Sequence, residues 1–484
     1  MNTAIVWFRR DLRIEANPAL LEACAHERLV PVYIHDPESE GTGAPGEASR
    51  WWLHHALRDL DAQLRARGSQ LLVFEADSGV TLETLADATN ADAVYWNRSY
   101  EPDLIKRDGA IKKRLRQRGL DARSFNAGLL YEPWGVQNKQ GLPFRVFTPF
   151  WKHCLTLPRI AAPEPLPDKL PPLHGQIGAG TLDGHRPDID ALELLPRIPW
   201  DRGFYDHWSP TRGGVLDRLQ DFLDGPVGKY PNTRDTPAID GVSRLSPWLH
   251  FGQIGPAEIA QHLDRVPGKG ADAWYRQLVW REFAHHLLFH FPDTVREPMN
   301  PAFAAMPWRH DTDTLEAWQQ GRTGIPLVDA GMRELWHTGW MHNRVRMVVA
   351  SLLTKNQLLH WHHGADWFMD TLVDADLANN TMGWQWVAGS GADAAPYFRI
   401  FNPVSQGERF DPDGAYVRHW VPELAKLPNS HIHKPWEADD GALRDVGLRL
   451  GRDYPRPIVD LKKSRQRALD AYEHVKAAKE SPGS

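Results

Sequence analysis

The apolar pattern of this chain changes period once, and that change limits the folds open to it. Up to about Phe125, short β-branched and aromatic runs alternate with helical spacing. The runs are Ala4–Phe8, Leu29–Ile34, Leu71–Phe74, Ala93–Tyr95 and Ala122–Phe125; between them lie Pro18–His26, Ala48–Arg67, Thr81–Ala88 and Pro102–Arg118. This rhythm predicts βαβ units with right-handed crossovers and a twisted, mostly parallel sheet with helices on both faces. After about Tyr205 strand signals nearly vanish. Apolar residues then recur at helical spacing through Gly214–Leu223, Ala257–Leu263, Ala271–His290, Thr312–Gln319, Ile325–Thr338, Met341–Gln357, Gly364–Leu377 and Ala442–Leu450. Between the two regimes, Leu157–Trp200 carries nine prolines and little periodicity, so it reads as a surface connector.

The expected organisation is therefore an α/β domain over residues 1–130, an interdomain linker over 131–204, a large all-α domain over 205–475 and a flexible tail over 476–484. No GxGxxG follows the first strand, so the Rossmann-like shape of the first domain names no ligand. The formal charge of −6 argues against a uniformly basic nucleic-acid coat but allows a local basic face. With two cysteines, Cys24 and Cys154, neither a disulfide framework nor a cysteine-built metal or iron–sulfur centre is expected. The histidines, His360, His362 and His363 among them, form no recognised metal spacing. MNTAIVWFRRDLR lacks a secretion signal and no apolar run approaches the ~20 residues of a membrane span. A soluble, cytoplasmic protein is expected.

Tryptophan stands out: 14 of the 21 lie between Trp208 and Trp436. Four stretches combine them with polar residues. In DADLANNTMGWQW, Asp374 and Asp376 precede Asn380, Trp384 and Trp386. On a helix Asn380 and Trp384 share a face, while Trp384 and Trp386 point to nearly opposite sides, one toward a buried planar cofactor and one toward a second aromatic chamber. In GVSRLSPWLHFG, Ser243, Arg244 and Ser246 at the mouth of a helix make a phosphate-binding corner, although serine there is more often a simple cap. In WYRQLVWREF, Trp274, Gln277, Leu278 and Arg281 share one stripe, and Gln277 and Trp280 an adjoining one. An amphipathic core helix explains the leucine and valine but leaves Arg281 wanting a partner, which an acidic or phosphate group on the cofactor side would supply. In WMHNRVRM, Asn343 and Met347 lie one turn apart with Arg346 beside them, and Arg344 projects toward solvent or a phosphate backbone.

Together with VWFRRDLR at the start and APYFRIFNP after the last tryptophans, these stretches resemble, in order and spacing, the photolyase/cryptochrome family of flavoproteins, over almost the whole chain. The resemblance is to bacterial cyclobutane pyrimidine dimer photolyases, with a C-terminal half like the class III enzymes. It implies an FAD, bent into a U, in the helical domain. Tyr230, Ser243, Arg244, Leu245 and Ser246 would hold its phosphates and ribityl chain; Trp274, Arg281, Asn343, Arg346, Asp374 and Asp376 would line the flavin. Asn380 would face the flavin N5, an amide at that point resembling photolyases where plant cryptochromes place Asp. Val242 stands where many relatives have Thr. Trp384, Trp361 and Trp308 fall at the family's electron-relay positions.

The resemblance also implies the substrate. Trp280 and Trp386 would form a wedge stacking a flipped-out pyrimidine dimer in UV-damaged DNA, with Arg234, Gln277, Asn343, Arg344, Met347 and Arg399 around it. Light-excited reduced FAD would donate an electron, the cyclobutane ring would split and the electron would return. Gln277 replaces the Glu usual in these enzymes, as it does in (6-4) photolyases. Those also need two histidines where this chain has Asn343 and Met347, and His342, adjacent, would point elsewhere on a helix. Cyclobutane repair comes first; a cryptochrome-like blue-light photoreceptor with weak or no repair is the alternative. An antenna in the first domain is expected, methenyltetrahydrofolate favoured. Asp103 and Leu104 nevertheless stand where one subgroup carries an Asn-Glu pair for it. A monomer is expected, with no metal.

Overall fold

The computed structural model describes residues 2–159, 161, 164–173, 182–394 and 398–480. Tyr397 and its two predecessors, at the start of the APYFRIFNP motif, lie outside the described residues, as do 481–484.

The five expected strands form: β1 (Thr3–Phe8), β2 (Arg28–His35), β3 (Leu72–Glu75), β4 (Ala93–Asn97) and β5 (Asp121–Phe125). They pair in parallel in the order β5-β4-β1-β2-β3, with Ile5 opposite Val30 on one side and Val94 on the other. β1 is buried along its whole length, as a central strand covered on both faces requires. The crossovers are helices α1 (Pro18–Ala23), α2 (Glu47–Ala66), α3 (Ser78–Thr89) and α4 (Pro102–Gln117). Asn17 and Asp77 cap α1 and α3 by accepting the N–H groups of Leu20 and Val80, and Pro18 and Pro102 occupy the first turn, where no N–H is needed.

The connector does more than wrap. Within it, β6 (His185–Arg186) adds an antiparallel sixth strand against β3, closing an edge that would otherwise present unpaired backbone groups. Before it, α5 (Phe147–Cys154) leaves the first domain and packs on the second.

The helical half is built on α6 (Arg212–Asp224), α7 (Pro226–Thr233), α8 (Ser246–His250), α9 (Lys269–His290), α10 (Thr312–Gln319), α11 (Pro326–Thr338), α12 (Asn343–Ser351), α13 (Trp361–Thr371), α14 (Leu377–Ala388) and the terminal α15 (Leu461–Glu480), with shorter helical turns between. Several sequence boundaries differ; the helix expected over Ala442–Leu450 spans only Asp440–Asp445, and the one expected over Pro18–His26 ends at Ala23. The helix expected over Met341–Gln357 begins only at Asn343, because His342 caps it from extended backbone, and it widens into a π turn at Leu352–Asn356. The helix expected over Gly364–Leu377 ends at Thr371. The chain then turns, so Asp374 and Asp376 sit before α14 rather than on a continuous helix. The terminal helix continues to Glu480, into the stretch expected to be tail.

The two halves share one apolar core. Trp52 of α2 donates its indole N–H to Gln253 at 2.8 Å and meets the ring of Trp248 edge-on at 5.0 Å. From α9, Arg281 donates to the carbonyl of Gly128 at 2.7 Å, and the buried Glu282 accepts the N–H groups of Leu130 and Tyr131 at 2.8 and 3.2 Å. A second cluster, wholly helical, holds Trp318, Trp361, Phe368 and Trp384. Gly364 is required there: a Cβ would fall 1.9 Å from the Trp384 ring, so only a bare backbone lets α13 and α14 approach this closely.

A candidate flavin and lesion site

Asp376 is the N-cap of α14, its Oδ1 accepting the backbone N–H of Asn379 at 2.8 Å and the side-chain Nδ2 at 2.6 Å. Its other oxygen faces His250 and His285, each 3.6 Å away. Burial pushes this carboxyl up, but the imidazoles and Arg281 outweigh it and hold the group well below the usual carboxylate range. Sequence reading missed both histidines, although His285 follows Arg281 at helical spacing. Arg346 of α12 directs Nη2 between the two oxygens of Asp374, at 3.0 and 2.9 Å, and its Nε donates to the carbonyl of Met341 at 2.8 Å. One turn beyond Asp376, Asn380 donates Nδ2 to the carbonyl of Ala365 on α13 at 2.9 Å.

The phosphate corner comes together differently from its sequence reading. Ser246 is the first residue of α8 and caps nothing; it is exposed, with Leu245 buried before it. Ser243 accepts the indole N–H of Trp274 at 3.2 Å, and Phe222 packs against both Trp274 and Tyr230, which ties this corner to α6, α7 and α9. Arg244 has φ +53°, a left-handed conformation that is strained for a long side chain. Its guanidinium lies over the Trp340 ring at 4.7 Å, while its Nε is buried, makes no hydrogen bond and stands 3.7 Å from the Asp240 carboxylate. Such a donor, beside a hydroxyl and an exposed helix start, fits an anion. Asp374, Arg346 and the Asn380 amide fit the edge of a planar heterocycle. The donor set therefore suits FAD.

Arg281 donates its Nη1 to the Gly128 carbonyl and has Glu282 3.5 Å away, while its charge also acts on Asp376. Arg344 is corrected. It is mostly buried, pairs with Asp235 at 2.8 Å and lies over the Phe410 ring, rather than projecting to solvent. Its neighbour Asn343 is exposed at the start of α12, and Met347 is half-buried. His342, outside the helix, turns its Nδ1 to the Arg344 N–H at 3.2 Å, so it is a cap and not a second-face residue.

The two tryptophans of α14 diverge as their spacing predicts. Trp384 is 2% exposed, among Trp318 and Phe368. Trp386 is half-buried on the other side, its indole donating to the carbonyl of Asp393 at 3.2 Å, with the exposed Arg399 over its ring at 5.8 Å. Trp361 is 3% exposed and Trp308 half-buried. Between these last two stands His360, ring centroids 5.9 Å from Trp361 and 5.0 Å from Trp308, a residue the motif reading did not single out. Trp280 stacks on Phe147 of α5, centroids 3.6 Å apart and planes 7° apart. Gln277, one turn back, donates to the Ala273 carbonyl at 3.3 Å, and Arg234 lies over Tyr230. Among the described residues no helix is long and apolar enough to cross a membrane, and no group of three His, Cys, Asp or Glu side chains could hold a metal ion.

Residues 4–171 match the family model described as DNA photolyase, and residues 274–474 the one described as the FAD binding domain of DNA photolyase. The chain is similar to the deoxyribodipyrimidine photo-lyase of Agrobacterium fabrum, 47% identical over 478 residues that cover 98% of each chain. It is 38% identical to Cryptochrome-2 of Arabidopsis thaliana over 98% of this chain and 79% of that one. Among solved structures, a bacterial class III photolyase from Agrobacterium tumefaciens superposes with a TM-score of 0.92 at 45% identity, covering 99% of this chain and 98% of that one. With both family models matched and such identity over nearly the full length, the chain belongs to the photolyase/cryptochrome family.

Proposed function

We propose that this protein is a light-driven DNA repair flavoenzyme, a deoxyribodipyrimidine photo-lyase that splits cyclobutane pyrimidine dimers and acts as a monomer. One observation carries the reading: two residues of α14 divide the site into an inner and an outer side. Trp384 faces the buried cluster that leads by Trp361 and His360 to the half-buried Trp308; Trp386 faces outward beneath Arg399. When bound, FAD supplies a light-absorbing one-electron donor. The chain's own residues do the rest. Burial of Trp384 and Trp361 keeps water from their rings, while the more open Trp308 is where a charge can be met by solvent. Asn380, its Nδ2 held by Ala365, keeps Oδ1 as the free acceptor for a ring N–H. Trp280 and Trp386 offer π faces to a flipped-out dimer, stacking worth ~1–3 kcal/mol per base against an extrusion cost of a few kcal/mol. Arg234 and Arg399 supply positive charge for the DNA backbone despite the acidic total, so binding weakens as salt rises.

The test is to illuminate the reduced holoprotein with an oligonucleotide carrying one thymine dimer and follow the return of thymine absorbance. Recovery supports repair. Binding without recovery supports the second reading, a cryptochrome-like light sensor, which Gln277 favours because its amide is neutral and already bonded to Ala273.

An antenna chromophore, methenyltetrahydrofolate by preference, is proposed for the narrow cleft where β1 and β4 part at the carboxyl ends of the strands, lined from the helical half by Phe251. Tyr33, Ser99 and Leu104 offer it contact; the Trp7 ring is already met by Arg9 and Arg107, at 4.5 and 4.9 Å. The absorption spectrum of the chromophores released on unfolding decides this point.

A further inference from the structure

Two of the aromatic rings around the outer side of the site are joined through a residue that touches neither ring face. Phe147 backs Trp280 in a parallel stack, and because it opens α5 its N–H has no partner inside the helix. That N–H donates to Asp393 Oδ2 at 3.2 Å. The backbone carbonyl of the same Asp393 accepts the indole N–H of Trp386 at 3.2 Å. Asp393 sits at φ +58°, a left-handed conformation that Asp tolerates better than most residues. One residue thus bonds the plate behind Trp280 through its side chain and Trp386 through its backbone.

We propose that Asp393 is a positioning residue that sets the separation of Trp280 and Trp386, and so the width of the slot that receives the lesion. This rests on reading the two indoles as the walls of the lesion chamber. A slot that stacks a crosslinked base pair must be held to within about 0.5 Å, and supports around the walls, rather than the walls themselves, provide that. Loss of the carboxylate frees α5 and lets Trp280 drift with Phe147. It also relaxes the turn that presents the Asp393 carbonyl, releasing Trp386.

The test uses full-length, FAD-loaded protein with fluorine-labelled tryptophan. The resonances of Trp280 and Trp386 are assigned through Trp280→Phe and Trp386→Phe. In Asp393→Ala both resonances should move or broaden together, and the dissociation constant for thymine-dimer oligonucleotide should rise about tenfold while that for undamaged DNA holds. Asp393→Asn, whose amide oxygen still accepts the Phe147 N–H, should restore the Trp280 resonance and most of the lesion preference. Unmoved resonances in Asp393→Ala, or a shift of one without the other, overturn the bridge. Unchanged lesion preference in Asp393→Ala, with the wild type preferring the dimer, overturns its role in the slot. If the wild type shows no preference for the dimer, the repair reading fails and the slot role falls with it, while the fluorine resonances still decide the bridge.

Discussion

The Asn380 side chain donates to the backbone carbonyl of Ala365 across 2.9 Å, from α14 to α13. A carbonyl accepts only from Nδ2, so the orientation of this amide is fixed by its neighbour and Oδ1 is the atom turned to the site. Asn380→Asp should break that bond and set a carboxylate against the Ala365 carbonyl. The expected outcome is an altered mixture of one-electron and two-electron forms of the flavin under blue light, with FAD content unchanged, read from the visible spectrum. An unaltered mixture would remove Asn380 from the flavin's edge.

Gln277 holds the Ala273 carbonyl at 3.3 Å with its Nε2, a bond that Glu cannot make when ionised. Gln277→Glu should therefore release the side chain from its own helix and offer a carboxyl to the dimer bases. Repair per absorbed photon should rise severalfold, and lesion affinity by about 1.5–3 kcal/mol, the scale of one added hydrogen bond to a charged group. A repair yield no higher than wild type would mean that the neutral amide limits nothing.

Trp308 is the most open of the three relay tryptophans, and the His360 ring lies between it and Trp361. Burial drives the imidazole of His360 down to about 4, so at neutral pH it is uncharged. A cation there would oppose positive charge on either indole. Trp308→Phe should slow photoreduction of the flavin by at least about tenfold, which corresponds to about 1.4 kcal/mol or more on the rate-limiting barrier. Time-resolved absorption after a blue flash makes the measurement, and wild-type kinetics would sink the relay.

Glu282 is 3% exposed and burial pushes its carboxyl up to about 7, against the N–H groups of Leu130 and Tyr131. For an acid whose folded value is raised, stability is fully present below the unfolded value near 4.5 and is lost as pH rises through about 7. At pH 8 the loss approaches roughly 3 kcal/mol, at about 1.4 kcal/mol per unit. Glu282→Gln keeps an oxygen for both N–H groups and cannot ionise. It should match the wild type in denaturant midpoint near pH 5 and exceed it near pH 8. Parallel curves for the two proteins would contradict the assignment.

The sequence made the parallel sheet, the helical half and the divergence of Trp384 from Trp386 readable, because each rests on a period of two or 3.6 residues that apolar side chains report directly. The partners of the charged groups were not readable. Arg281 found a backbone carbonyl 153 residues away, and Arg344 found Asp235, because a guanidinium needs some acceptor but its type does not say which. The break between Thr371 and Leu377 was hidden for a related reason: Leu372 and Val373 continue the apolar spacing, yet Asp376 competes for backbone N–H groups and starts a new helix. His250, His285 and Asp393 reach the site through contacts distant in sequence, which no local pattern carries.

Arg281 and Glu282 follow Trp280 directly in the chain, and both grip the loop Gly128–Tyr131 at the end of the α/β half. Any exchange of the first half for that of a relative must then leave this loop with its original partner, since a junction placed beyond Tyr131 would sever the grip, whereas one at the close of β5 keeps it. A chimera joined after Phe125 should keep the lesion-facing indole in register, whereas one joined after Tyr131 should fold as two units that no longer agree on where that indole belongs.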